Sequence, residues 1–268
     1  MLLVNDVYRR ETLMKIVIHE DRAAMGGAAA AEAATALKAA CDRKGSATLV
    51  VATGSSQFEV LAALGTTAGI PWDGITIYHL DEYVGLSPDH PASFRRYLRE
   101  RFVDRLPIRP KAFHEVGVEA DPVAECRRLA ALVPPDDFDV SMIGIGENAH
   151  VAFNDPPADF ETMSPYLVVS LDEPCRRQQV GEGWFPSLES VPTQALSMSI
   201  RRILASRTIV CSVPDRRKAE AVRAAVEGPL TPTVPASILR TPANCSLHLD
   251  REAASLLSDR SSGPAASA

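Results

Sequence analysis

Residues Gly144–Pro156 read GIGENAHVAFNDP, and the rest of the chain is organised around them. They follow Phe138–Ile143 (FDVSMI), an apolar run with the length and composition of a buried parallel strand. Next come two glycines, a polar pair, one histidine and an Asn154-Asp155-Pro156 turn. A strand that ends in glycine and then presents polar groups is how open α/β sheets build sites at their carboxyl edges. His150 is therefore the residue to which the other polar clusters must be related.

Working outward, apolar runs at Met14–His19, Ser46–Val51, Ile75–Leu80, Tyr166–Leu171, Thr208–Val213 and Ser246–Leu249 read as further strands. Helices are predicted over Ala23–Lys44, Gln57–Leu64, Ser93–Leu106, Asp121–Leu132, Ala195–Leu204, Asp215–Glu227 and Arg251–Leu257. The polar, glycine-punctuated Glu173–Trp184 segment reads as a loop or short helix. Strands that alternate with helices imply an α/β fold, a mostly parallel sheet flanked by helices on both faces. No linker-like stretch interrupts the middle, so a single domain is expected over residues 14–257. Residues 1–13 read as an N-terminal extension ahead of Met14. Residues 258–268, rich in Ser, Gly, Pro and Ala, read as a disordered tail.

With a net charge of −6 the chain has no basic field to suggest nucleic-acid binding. No run approaches the roughly 18 apolar residues of a membrane span. The five cysteines are widely spaced, odd in number and free of any C-x-x-C pair, which fits a reducing cytoplasm rather than a disulfide framework or zinc site.

Three polar clusters fall at strand carboxyl ends. Thr53-Gly54-Ser55-Ser56 lies between a strand and a helix, where exposed amides and hydroxyls can hold a phosphate. The same residues also suit an N-capped turn without a ligand. Asp81 and Glu82 close the third strand, where a partly buried carboxylate can act as a general base or can cap the following turn. His150 can donate and accept a proton within one cycle, with Asn148 and Asp155 close enough in sequence to fix its tautomer. No second or third ligand lies at metal spacing around it, so no metal is expected. Arg176-Arg177 and Arg216-Arg217-Lys218 are candidate anion binders, or else solvated charge runs.

Taken in order, these clusters resemble the glucosamine/galactosamine-6-phosphate isomerase family. The pieces that carry the resemblance are Leu80-Asp81-Glu82-Tyr83-Val84-Gly85-Leu86 with His90-Pro91, and His150-Val151-Ala152-Phe153-Asn154. Thr53-Gly54, Lys218-Ala219 and Ala224–Gly228 add to it. The resemblance implies a Rossmann-like fold and a cofactor-free deaminase that turns glucosamine 6-phosphate and water into fructose 6-phosphate and ammonia. By analogy His150 would open the sugar ring and Asp81 would carry the proton between C2 and C1, with Asn148 and Asp155 supporting the histidine. Thr53, Gly54, Ser55, Ser56, Glu82, Arg176 and Lys218 would hold the substrate and its phosphate. The expected partner is a small sugar phosphate, with no nucleic acid and no membrane. The family includes both monomers and hexamers, so a homo-oligomer is among the expected states.

Two departures from the family pattern stand out. Asn148-Ala149 replaces a usual Asp-Gly, which requires that Ala149 avoid positive φ. Asp155 replaces a Glu and is one methylene shorter. In addition, residues 157–166 hold no basic side chain, so activation by an acetylated amino-sugar phosphate is not expected. The rival readings are a 6-phosphogluconolactonase-type hydrolase and a non-catalytic sugar-phosphate sensor.

Overall fold

The computed structural model describes residues 14–258. The proposed N-terminal extension therefore lies outside the described residues, as does the proposed tail beyond Ser258.

Seven parallel strands form the main sheet. They are β1 (Lys15–His19), β2 (Ala47–Val51), β3 (Ile75–His79), β5 (Ala112–His114), β6 (Phe138–Ile143), β9 (Ser206–Val213) and β10 (Cys245–Asp250), in the spatial order β1-β10-β9-β6-β2-β3-β5. The inner strands β2, β3, β6, β9 and β10 are largely buried on both faces, as parallel strands covered by helices must be, while the edge strands β1 and β5 are only partly buried. Alternate residues feed two layers. Leu49, Val51, Ile75, Ile77 and Met142 pack with the helices α1 (Arg22–Lys44), α2 (Phe58–Thr66) and α3 (Phe94–Arg101). Val50, Tyr78, Ile209, Cys211 and Leu247 pack on the opposite face with α4 (Pro122–Leu132) and α7 (Ala219–Glu227). The expectation of one α/β domain with a mostly parallel sheet holds.

β2 lies between β3 and β6, so the chain leaves β2 toward one side of the sheet while β6 lies on the other. Connections that part in this way open a crevice at the strand carboxyl ends, the usual ligand position in open α/β sheets. The Thr53–Ser56 loop follows β2 and the Gly144–His150 loop follows β6, so both border that crevice.

A second, three-stranded sheet has the order β4-β8-β7, formed by β4 (Asp81–Tyr83), β8 (Gln194–Met198) and β7 (Tyr166–Ser170). It corrects two expectations. Ala195–Leu204 is not one helix: β8 comes first, and Ser199 then caps the short helix α6 (Ile200–Leu204) by accepting from Arg202 N–H. Ala195–Met198 is buried throughout between two partner strands, so it lacks the alternation that marks a half-exposed strand. Similarly, Asp81 does not simply end β3 but starts a strand that leaves the main sheet and pairs with β8. Arg251–Leu257 forms turns rather than the predicted helix, with Asp250 accepting from Ala253 N–H at 2.7 Å.

α1 sets how closely α2 and the loop ahead of it approach the sheet. Asp21 caps its start through Ala24 N–H, and Gly45 closes it at φ 72°. A Cβ on Gly26 would lie 2.5 Å from Glu59 Cβ and 2.9 Å from the Glu59 carbonyl carbon. One turn away, Arg22 donates to Ser55 O at 2.6 Å and pairs with Glu59 at 3.1 Å. Close packing at Gly26 therefore positions the loop after β2. Gly26→Ala is expected to destabilise the fold by about 2 kcal/mol through overpacking. Gly27 faces solvent with nothing within 4 Å of an added Cβ, so Gly27→Ala should stabilise by roughly 0.5–1 kcal/mol. Urea denaturation of the two variants checks both signs.

Candidate active site

The loop after β2 turns at Gly54, whose φ of 94° explains the glycine. A single 3₁₀ turn over Ser55–Gln57 then leads into α2. Tyr97 donates its hydroxyl to Gly54 O at 3.1 Å and fixes the loop from the α3 side. Thr53, Gly54, Ser55 and Ser56 all line a cleft whose other walls include Asp81, His150 and Lys218. The clusters are remote in sequence but converge in space.

Asp81 and Glu82 are both buried, and strand geometry turns their side chains to opposite faces of β4. Glu82 accepts from Ser93 Oγ, Arg95 N–H and its neighbour Tyr83 N–H, each at 2.9 Å, and lies 3.5 Å from the Arg95 guanidinium. Burial still raises its pKa against these donors. Glu82 thus ties the start of α3 to β4 and does not line the cleft, which corrects its expected place beside the substrate. Asp81 does line the cleft. Burial, with a smaller push from the Glu82 charge, raises its pKa to about 8 with no donor offsetting the shift.

His150 sits in a tightly bonded loop. Gly146 N–H donates to His150 O, and Ala149 N–H to Gly146 O, both at 3.0 Å. Asn148 is the loop's internal clamp: its Oδ1 accepts from His150 N–H, and its Nδ2 donates to Asp155 at 3.0 Å and to Asp172 at 3.1 Å. His150 Nδ1 lies 3.1 Å from Asp155 Oδ1, a close contact set too obliquely for a well-aligned hydrogen bond. Burial acts to raise the Asp155 pKa, but His150, the Asn148 amide and Asp172 N–H outweigh it and hold the carboxyl below its usual value. The shorter aspartate arm therefore still reaches the imidazole.

Ala149 adopts φ 66°, contrary to the expectation that it avoids positive φ, so the loop keeps the left-handed turn that favours glycine. The methyl group costs roughly 1–2 kcal/mol there. Ala236 N–H, donating to Ala149 O at 2.9 Å, helps to hold the turn. The Asn154 side chain donates to Val151 O and Met198 O, and Ser197 Oγ accepts from Phe153 N–H at 3.0 Å. The loop is thus fastened to β8.

The fold also changes the ligand arithmetic around His150. Asp155 and Cys175 each bring one ligand atom to within 4.8 Å of it, although no such cluster is visible from sequence spacing. The Cys175 thiol is strongly raised by burial and by Asp155 and Asp172 nearby, so it stays protonated. The trio is a buried acid–base pair beside a neutral thiol, a poor donor set for a metal.

Neither arginine of the Arg176-Arg177 pair lines the cleft. The Arg176 guanidinium donates to Leu188 O at 2.6 Å and to Val191 O at 3.1 Å, while Arg177 is exposed and paired with Glu173. The residues that do face the cleft are Gln178, Gln179 and Glu182, on or just after α5 (Glu173–Gly181). Asp172 caps this helix ahead of Glu173-Pro174, a start signal that the sequence does carry. Given that start, helical spacing puts Gln178 and Glu182 on one face and Arg176 on another.

The sequence model described as glucosamine-6-phosphate isomerases/6-phosphogluconolactonase matches residues 20–248. The chain belongs to this family. It is 42% identical over 185 residues to a glucosamine-6-phosphate deaminase of Exiguobacterium sibiricum, covering 69% of this chain and 71% of that one. It is 39% identical to glucosamine-6-phosphate deaminase 1 of Bacillus subtilis, covering 80% and 88%. A solved monomeric glucosamine-6-phosphate deaminase superposes with a TM-score of 0.83 at 35% identity, covering 91% of this chain and all of that one (100%). A 6-phosphogluconolactonase structure from Trypanosoma brucei shares the fold, with a TM-score of 0.72 at 18% identity, covering 92% and 100%.

Within this family site Gly146 has a specific steric role. A Cβ there would lie 2.3 Å from His150 Nε2, so the imidazole rests directly on the glycine backbone. Gly146→Ala should move the ring off Asp155 by about 1 Å or more, because real Cβ contacts do not fall below about 3 Å. Gly181→Ala, where nothing lies within 4 Å, should leave it in place. His150 ring NMR shifts in the two variants test this.

Proposed function

We infer that the protein is a glucosamine-6-phosphate deaminase, converting the amino-sugar phosphate and water to fructose 6-phosphate and ammonia. The observation that carries this reading is the pairing, in one cleft, of a carboxylate poised near pH 8 with a histidine backed by an ionised aspartate. A base removes a proton efficiently when its pKa lies near the working pH. Asp81 takes the proton from C2 of the opened sugar and returns it at C1. His150 moves the proton at the ring oxygen, and Asp155 steadies the imidazolium that forms. The resulting enolamine becomes an imine, which water hydrolyses to release ammonia. Thr53, Gly54, Ser55, Ser56 and Lys218 face the phosphate end.

The deaminase relatives at 39% and 42% identity favour this reading over the lactonase, whose likeness at 18% identity concerns the fold alone. Burying Asp81 without a compensating donor costs stability, which suits a catalytic base better than a passive sensor. The five cysteines are unpaired, in keeping with a reducing compartment.

Incubation with glucosamine 6-phosphate, galactosamine 6-phosphate and 6-phosphogluconolactone tests the reading by ammonia and fructose 6-phosphate formation. Asp81→Asn should lower ammonia release at least about a thousandfold, and Gly146→Ala about a hundredfold. Lactone hydrolysis without ammonia would sink the proposal.

The base works only when ionised, so kcat/KM should rise tenfold per pH unit below about 8 and level off above it. The stability effect has the opposite sign. A folded pKa raised above 3.8 means the stability contribution is fully present below about pH 4 and is lost as pH rises through about 8. Asp81→Asn should therefore stabilise the fold at pH 9 by about 2–4 kcal/mol and less at pH 5, read from denaturation midpoints.

A further inference from the structure

The deaminase reading leaves one end of the cleft unexplained. A phosphate is ordinarily met by several charge-assisted donors. Lys218 is the one cationic side chain among the described residues lining the cleft. Its Nζ lies 3.6 Å from Glu182 Oε1, with the two side chains 5% and 4% exposed. Glu182 also accepts from Ser55 Oγ at 3.1 Å, Gln178 Nε2 at 2.7 Å and Trp184 Nε1 at 3.2 Å. Burial acts to raise its pKa, but Lys218 and these three donors hold the carboxyl below its ordinary value. At neutral pH an anion already sits on the serine and the lysine that face the phosphate end. Arg176 and Arg177, which would supply more positive charge, are committed elsewhere.

We propose that Glu182 is a specificity-determining residue: an internal carboxylate that occupies the phosphate subsite through Ser55 and Lys218, and that a phosphorylated sugar must displace in order to bind. The occupancy itself stands on geometry; only the identity of the sugar rests on the deaminase reading. Glu182 follows the last turn of α5 and precedes Gly183, which lies at φ 81°. The side chain is thus carried between Gly181 and Gly183 at a helix end, where a backbone shift costs least. Like charge in a nearly dry subsite penalises any anion that cannot compensate through other contacts. A sugar phosphate compensates through the ring contacts along the cleft, whereas inorganic phosphate has none. Glu182 therefore rejects small free anions.

Glu182→Gln keeps the shape and removes the charge. Calorimetry with inorganic phosphate at pH 7.5 should show binding at least about tenfold tighter in Glu182→Gln than in the unmodified protein. The KM for glucosamine 6-phosphate should fall by a similar factor, with a smaller change in kcat. Lys218→Met in the Glu182→Gln background should abolish the gain. If Glu182→Gln folds poorly, Glu182→Ala is read by the rise in melting temperature on adding inorganic phosphate, which should again exceed that of the unmodified protein. Unchanged or weaker phosphate affinity, or a raised KM, overturns the proposal even if ammonia is released normally. Tighter phosphate binding without ammonia release from either protein supports the proposal and overturns the deaminase reading instead.

Discussion

The site depends on one pair of adjacent carboxylates placed on a strand of three residues, β4. In any strand, neighbours point to opposite faces. Glu82 therefore turns into the protein, where Ser93, Arg95 and the Tyr83 amide satisfy it, and Asp81 must turn toward the cleft. The satisfied member anchors α3, whose Tyr97 in turn braces the loop after β2 at Gly54 O. Its neighbour Asp81 keeps a desolvation cost that no donor among the described residues offsets, and that cost is what brings its pKa toward the range where a carboxylate can act as a base near neutrality. Stability and reactivity are thus divided between two consecutive residues by backbone geometry alone.

The same division of labour runs through the His150 loop. Asn148 has no charge to offer, but it bonds Asp155, Asp172 and the His150 amide at once, so it holds two carboxylates and a backbone turn together. Asp155 is then the anion nearest the imidazole. Ala149 keeps the left-handed backbone that a glycine would adopt without strain. A loop that holds an unfavourable φ through backbone bonds at both ends gains a fixed ring orientation in exchange.

Much of this was legible in the chain. The alternation of strand and helix gave the parallel sheet, and each of the loops at Thr53, Asp81 and His150 follows a strand that the sequence marks clearly. Three features were hidden, each for a physical reason. β8 is buried on both faces, so its pattern does not separate it from the helix that follows. Glu82 and Arg176 resemble ligand-binding residues by type, but whether a charged side chain meets a substrate or a backbone carbonyl depends on the direction it leaves its element. Glu182 follows a helix whose Asp172-Glu173-Pro174 start was readable, yet its meeting with Ser55 and Lys218 joins residues 127 apart and 36 apart in sequence, which no local pattern can reveal.

The small sheet has a further consequence. Ser197 of β8 is paired in register with Asp81 on one side, and its hydroxyl accepts from Phe153 N–H of the histidine loop. Asp81 and the His150 loop are therefore both tied to one residue, on a strand outside the seven-stranded sheet. The small sheet thus acts as a crosslink: it joins, through β8, two segments that the chain carries away from the separate strands β3 and β6 of the large sheet.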